Sequence, residues 1–146
     1  MKSISYKNIR NYLVESNSNK IFSIKLNNEF IRAYKRGFKK GCRYIVVYVF
    51  KNNLSVNRLG ITVGKKFGNS VQRNRMKRLI RENYRLFGES LLKGYDIVIA
   101  ARPSVRTAAS PNNRLKAEKV PGYEDVRSDM QKAFISLDIL CCENKQ

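Results

Sequence analysis

The tightest constraint on the fold is the stretch from residue 58 to residue 102. "RLGITVGKK", Arg58–Lys66, and "GYDIVIAAR", Gly94–Arg102, both read as strands, with a helical pattern between them. Strand, helix and strand in succession favour a crossover joining two parallel strands. The spacing places a turn over Gly68–Gln72 and a helix from Arg73 onward. At ~100° per residue, Met76, Leu79, Ile80 and Phe87 share one arc, which packs on the sheet. Asn74, Lys77, Arg78, Arg81 and Arg85 gather on the opposite arc, flanked by Arg73 and Arg75 near the N-terminal end.

Lys65 to Arg85 therefore holds eight basic residues against a single acid, Glu82. Like charges on neighbouring turns repel, and the helix dipole disfavours cations at an N-terminus. Solvated helix faces usually mix signs, and this one does not. Exposed N–H groups together with Arg forks make an anion site. A polyanionic partner accounts for the face better than water does.

The rest of the chain agrees. It carries 30 Lys and Arg against 11 Asp and Glu, a net charge of +19. The excess is uneven: Lys20 to Arg106 has 21 basic and 4 acidic residues, whereas Thr107 to Gln146 has 6 of each. The partner-facing surface belongs to the first part, and the C-terminal part is scaffold. An apolar content of 42% over 146 residues suits one globular domain.

Other elements fall into place around that frame. "NNEFIRAYKRG" predicts a helix over Asn28–Arg36, with Asn27 as N-cap and Gly37 as stop. "RYIVVYVF", Arg43–Phe50, is a strand whose two faces alternate: Tyr44, Val46, Tyr48 and Phe50 on one, Ile45, Val47 and Val49 on the other. It lies close enough to Arg58–Lys66 to pair with it antiparallel. Val126, Met130, Phe134 and Leu137 mark a closing helix. Residues 104–122 read as a long loop, and Ser5–Val14 as a short helix.

Several function classes drop out. There is no His, so His-based acid–base, metal or nucleophile chemistry is absent. Three cysteines, Cys42, Cys141 and Cys142, make an odd count without a CxxC, which points to a reducing, cytoplasmic setting. No apolar run reaches a membrane span's length, and no apolar segment follows the basic N-terminus as in a secretory signal. Nothing resembles a helix-turn-helix pair, a zinc site or a zipper, so RNA is favoured over DNA. Tyr44, Tyr48 and Phe50, with Phe30 and Tyr34 on the first helix, are candidates for a base-stacking platform.

"RLGITVGKKFGNSVQRNRMKRLIRENYR" closely resembles the RNR signature of the bacterial ribonuclease P protein family. "NNEFIRAYKRG", "RYIVVYV", "GYDIVIAARP" and the final helix follow in that family's order, over Lys25–Pro103 and again over Tyr123–Leu137. The resemblance implies an α/β (α+β sandwich-like) fold with a small mixed sheet. Its helices and strands run αβββαβα, with one more short strand than the residues alone reveal and a left-handed βαβ crossover. It implies a single domain over 25–140 with an inserted loop at 104–122, an N-terminal extension over 1–24 and a tail over 141–146.

It further implies the RNA-binding subunit of a ribonucleoprotein that removes the 5′ leader from precursor tRNA. Its partners would be the catalytic RNA and the leader, with no membrane and no DNA. Catalysis and Mg2+ would then reside mainly in the RNA, with no catalytic or metal-binding residue in the protein. By motif position, Lys65, Lys66, Arg73, Asn74, Arg75, Lys77, Arg78 and Arg81 would meet RNA. Phe30, Tyr34, Val46 and Tyr48 would line a leader-binding cleft, with Arg58 at its edge. Three departures stand out: Gly64 where the family often has serine, the long N-terminus, and the long loop.

Two other readings compete. A general RNA-binding or ribosome-associated protein fits the composition equally well, and only motif order separates it. A free-standing nuclease would need a carboxylate cluster, and Glu82, Glu89 and Asp96 are the only acids between Asn74 and Arg106. Glu82 among cations reads as an intrahelical salt-bridge partner.

Overall fold

The computed structural model describes residues 21–103 and 121–140. The helix expected over Ser5–Val14, most of the expected extension, residues 104–120 of the expected loop 104–122, and the tail with Cys141 and Cys142 lie outside them. The order is β1 (Phe22–Ser23), α1 (Asn27–Arg36), β2 (Phe38–Gly41), β3 (Ile45–Lys51), β4 (Arg58–Thr62), α2 (Ser70–Phe87), β5 (Tyr95–Ala101) and α3 (Tyr123–Ser136). After the two-residue β1, this is the αβββαβα order.

The five strands form one mixed sheet in the order β1-β4-β5-β3-β2. β4 and β5 run parallel, as the crossover through α2 requires, and β3 runs antiparallel to β5. The expected hairpin between β3 and β4 does not form, because β5 lies between them. β5 has the longest unbroken run of buried residues, and its central Ile97, Val98 and Ile99 are fully buried. The centre of the sheet is the one place where both faces of such a strand are covered. The hairpin partner of β3 is instead β2, "FKKG", whose sequence lacks a strand signature.

The alternation in β3 divides the molecule into two layers. Ile45, Val47 and Val49 enter the main core with Met76 and Ile80 of α2 and Val126, Met130 and Phe134 of α3. Each such side chain contributes roughly 1.5–3 kcal/mol by leaving water. On the other face a smaller cluster of Ile24, Ala33 and Val98, with Phe30, Tyr48 and Phe50 against it, seats α1. Tyr44 is a correction: it precedes β3, packs towards the main core, and gives its backbone N–H to the Asp129 carboxylate at 2.7 Å. It is therefore no part of a platform with Tyr48. At the same joint Cys42 Sγ donates to the Asp129 carbonyl at 3.4 Å. Burial, with the Asp129 charge next, raises the Cys42 thiol pKa.

Candidate nucleic-acid interface

The basic helix begins earlier than its apolar period indicates. Asn69 is the N-cap: its side chain accepts the Gln72 N–H at 2.9 Å, and Gln72 Oε1 accepts the Asn69 N–H at 3.0 Å. This reciprocal box is legible as "NSVQ". A Cβ on Gly68 would collide with the Gln72 amide that closes it, so the cap needs glycine there. The earlier start corrects one inference: the Arg73 N–H is bonded within the helix, to the Asn69 carbonyl at 2.9 Å. Arg73 and Arg75 thus offer their side chains alone, and are not part of an exposed helix N-terminus.

Met76, Ile80, Asn83 and Tyr84 are the buried residues of α2. Asn83 is an unexpected one, donating to the Leu79 and Tyr123 carbonyls and tying α2 to α3. Burial lifts the Tyr84 pKa to about 12. On the far side Asn74, Arg75, Arg78, Arg81 and Arg85 are exposed, and Lys77 is half-buried. Arg73 is half-buried too; its guanidinium donates to Ser70 Oγ at 3.2 Å while Nε is shielded and unpartnered. Among the described residues, the carboxylate that reaches this face is Glu82, 3.7 Å from Arg78. That pair is solvated and worth little. Lys65 and Lys66 stand exposed on a 3-10 turn between β4 and α2 that Phe67 anchors against the core.

The second surface lies on the α1 side of the sheet. The rings of Tyr34 and Tyr48 meet edge to face, 4.8 Å between centroids and 85° between planes. Tyr34 Oη and Thr62 Oγ1 are hydrogen-bonded at 2.9 Å. Sheet register aligns Thr62, Ala100 and Val46 in one row. Paired residues share a face, so this row is a floor of small side chains beside the tyrosines. The motif indicated Tyr34, Val46 and Tyr48, and the fold brings them together. Thr62 and Ala100 were not identified from sequence, since strand register is not a local property.

Phe30 sits further along α1, over Gly60, where it borders a cavity of about 210 Å³. Lys77 and Arg81 line the same cavity. Side chains of α2, which packs on the opposite face of the sheet, thus reach around the β1 edge to Phe30. This joins the basic helix to the aromatic cleft.

Arg58 stands on the α1 face of the sheet, next to the first turn of α1, with its charge already paired. Its Nε and one Nη hold both oxygens of Asp96 at 2.8 and 2.7 Å, and its other Nη holds Glu29 at 2.7 Å. Asp96 also accepts from Asn52 at 2.9 Å. The Asp96 hydrogen bond is the main reason the Arg58 pKa is raised above its ordinary value. Arg58 clamps the first turn of α1 to β5. Glu29 also accepts the Leu26 N–H at 3.4 Å, so Leu26, not Asn27, precedes the helix as its cap position.

The arrangement can hold phosphates and stack bases. Among the described residues no three His, Cys, Asp or Glu are grouped to hold a metal ion. No described helix is long and apolar enough to cross a membrane.

Comparison with known proteins agrees with this architecture. The family model Ribonuclease P matches residues 19–122. The ribonuclease P protein component of Caldanaerobacter subterraneus subsp. tengcongensis is 41% identical over 110 residues, which cover 73% of this chain and 95% of that protein. That of Natranaerobius thermophilus is 48% identical over 82 residues, covering 56% of this chain and 71% of that protein. The Staphylococcus aureus RNase P protein superposes with a TM-score of 0.65 at 32% identity, over 83% of this chain and 99% of that one. The Thermotoga maritima protein, solved with 1-(4-fluorophenyl)-2-thiourea, gives 0.62 at 30% identity over 75% and 94%. A match over most of the chain, in sequence and in fold, makes this protein a member of the ribonuclease P protein family.

Proposed function

We propose that this chain is the RNA-binding protein subunit of ribonuclease P and assists a catalytic RNA in cutting the 5′ leader from precursor tRNA. The observation that carries the proposal is the cation-rich face of α2, continuous around the β1 edge with an aromatic-walled cleft. Arg73, Asn74, Arg75, Lys77, Arg78 and Arg81, with Lys65 and Lys66, meet the phosphates of the catalytic RNA and of the region near the cut. Tyr34, Val46 and Tyr48 hold the single-stranded leader, with Phe30 at the end nearer the basic helix. Arg58, on the same sheet face as Gly60 and Thr62, orders the cleft by pinning the first turn of α1 to the sheet.

The chemistry belongs to the RNA. Glu29 and Asp96 are both engaged by Arg58, and no three described His, Cys, Asp or Glu are grouped to hold a metal ion. In this reading Mg2+ is held mainly by RNA phosphates, and the protein's cations lower the repulsion between the two RNAs. An odd cysteine count without a CxxC supports a reducing, cytoplasmic setting for this complex.

The test is cleavage of a precursor tRNA at low Mg2+ by a bacterial ribonuclease P RNA with and without this protein, and by the protein alone. Rescue only in the mixture is expected. Cleavage by the protein alone overturns the assignment of catalysis to RNA. RNA binding without rescue leaves a general RNA-binding protein.

A further inference from the structure

The floor of the cleft does not stop at β3. In the sheet register Val46 pairs with Gly41 and Tyr48 pairs with Lys39, both on edge strand β2. Cross-strand partners point to the same face. Gly41 thus extends the row Thr62, Ala100, Val46, and Lys39 stands beside Tyr48 on the α1 side. Gly41 is exposed, and a Cβ built on it meets nothing within 4 Å, so the last position of the floor is open. Lys39 is exposed and has no carboxylate partner among the described residues. Lys35 and Arg36, in the last turn of α1, add charge at this end. Lys65 and Lys66 follow Thr62, the β4 member of the row, by three and four residues. With strands about 4.8 Å apart, β4 and β2 are about 14 Å apart across the floor.

We propose that β2 is the far half of a single-stranded RNA track. A leader nucleotide beyond those at Tyr34 and Tyr48 lies over Gly41, and its phosphate meets Lys39. The inference rests on the reading of the cleft as the leader site. Charge selects the occupant: a chain with an anion at every unit suits a trough whose β2 end carries Lys39, Lys35 and Arg36 and whose β4 strand leads into Lys65 and Lys66. Lysine on an edge strand can also act as a guard against strand pairing. The adjacent Lys40 provides the comparison, because it pairs with Val47 and so points to the other face.

The experiment uses the full chain with a bacterial ribonuclease P RNA and precursor tRNAs whose leaders lengthen one nucleotide at a time. Lys39→Ala, Lys40→Ala and Gly41→Val are compared with wild type. Gly41 has an ordinary backbone conformation and open space, so a strand-favouring valine fits there while filling the floor. Once the leader passes a threshold length, Lys39→Ala is expected to raise KM about fivefold, the effect of one solvated charge contact. It should also reduce the salt slope of leader binding by about 0.7. Gly41→Val should show the same threshold, and Lys40→Ala should show none. A loss in Lys39→Ala that is the same at every leader length, or matched by Lys40→Ala, overturns the proposal, as does no loss at all. If wild-type binding is itself independent of leader length, the cleft reading fails first.

Discussion

The ring of Phe30 occupies the volume in which a side chain at residue 60 would stand: a Cβ on Gly60 would lie 2.5 Å from Phe30 Cε1. Gly60 is buried in β4, and its missing side chain lets α1 settle on the sheet. Gly60→Ala should therefore push Phe30 and α1 outward. Overpacking of this kind costs about 1–3 kcal/mol. Chemical denaturation should report the loss, and leader-dependent KM should rise in parallel. Unchanged stability with unchanged KM would mean that Phe30 is not held where it is seen.

Removing Arg58 tests the clamp. Arg58→Ala leaves the Asp96 carboxylate, only 3% exposed, without its main partner. Stranding a buried charge costs about 3 kcal/mol, less whatever Asn52 recovers. The same variant should keep its affinity for the catalytic RNA through α2 while losing leader discrimination. Equal losses at both surfaces would place Arg58 in direct RNA contact.

Arg75 is exposed, whereas Arg73 is half-buried with its Nε shielded. Arg75→Ala should leave stability within about 0.5 kcal/mol of wild type. It should weaken RNA binding and reduce the dependence of log K on log salt by about one phosphate contact. Arg73→Ala should weaken binding and shift stability as well. Thermal melts beside salt-titrated binding separate the two.

Tyr84 gives a pH signature. Its folded pKa of about 12 lies above the ordinary tyrosine value of 10.0, because burial penalises the phenolate. Between those values the folded state binds more protons than the unfolded state, so stability falls as pH rises. The contribution is fully present below pH 10 and is lost at about 1.4 kcal/mol per pH unit above it. Tyr84→Phe should flatten this fall in a comparison of unfolding free energies at pH 9 and pH 11. An identical slope in both proteins would show that Tyr84 is not buried as described.

Gly64 departs from the serine frequent in the family, yet nothing lies within 4 Å of a Cβ built there and its φ is −74°. Gly64→Ser should leave the melting temperature unchanged. Any change in RNA affinity then reports the added hydroxyl and not a fold defect.

The amphipathic helix, the alternation of β3 and the closing helix are local patterns legible in the residues themselves; the capping box of "NSVQ" is equally local, but the apolar period alone puts the helix start at Arg73. They determine that α2 turns one face to a core and a cation-rich face outward, because period and charge act within a few turns. Pairing is different. β3 and β4 are separated by six residues, yet β5, which begins only after a further 32 residues, lies between them. A continuous apolar strand must be covered on both faces, and only the whole sheet offers that position. The same non-local register sets Thr62, Ala100, Val46 and Gly41 in one row, and commits Arg58 to Asp96 and Glu29. Which charges face the partner and which are consumed inside is decided by the neighbours that folding brings close.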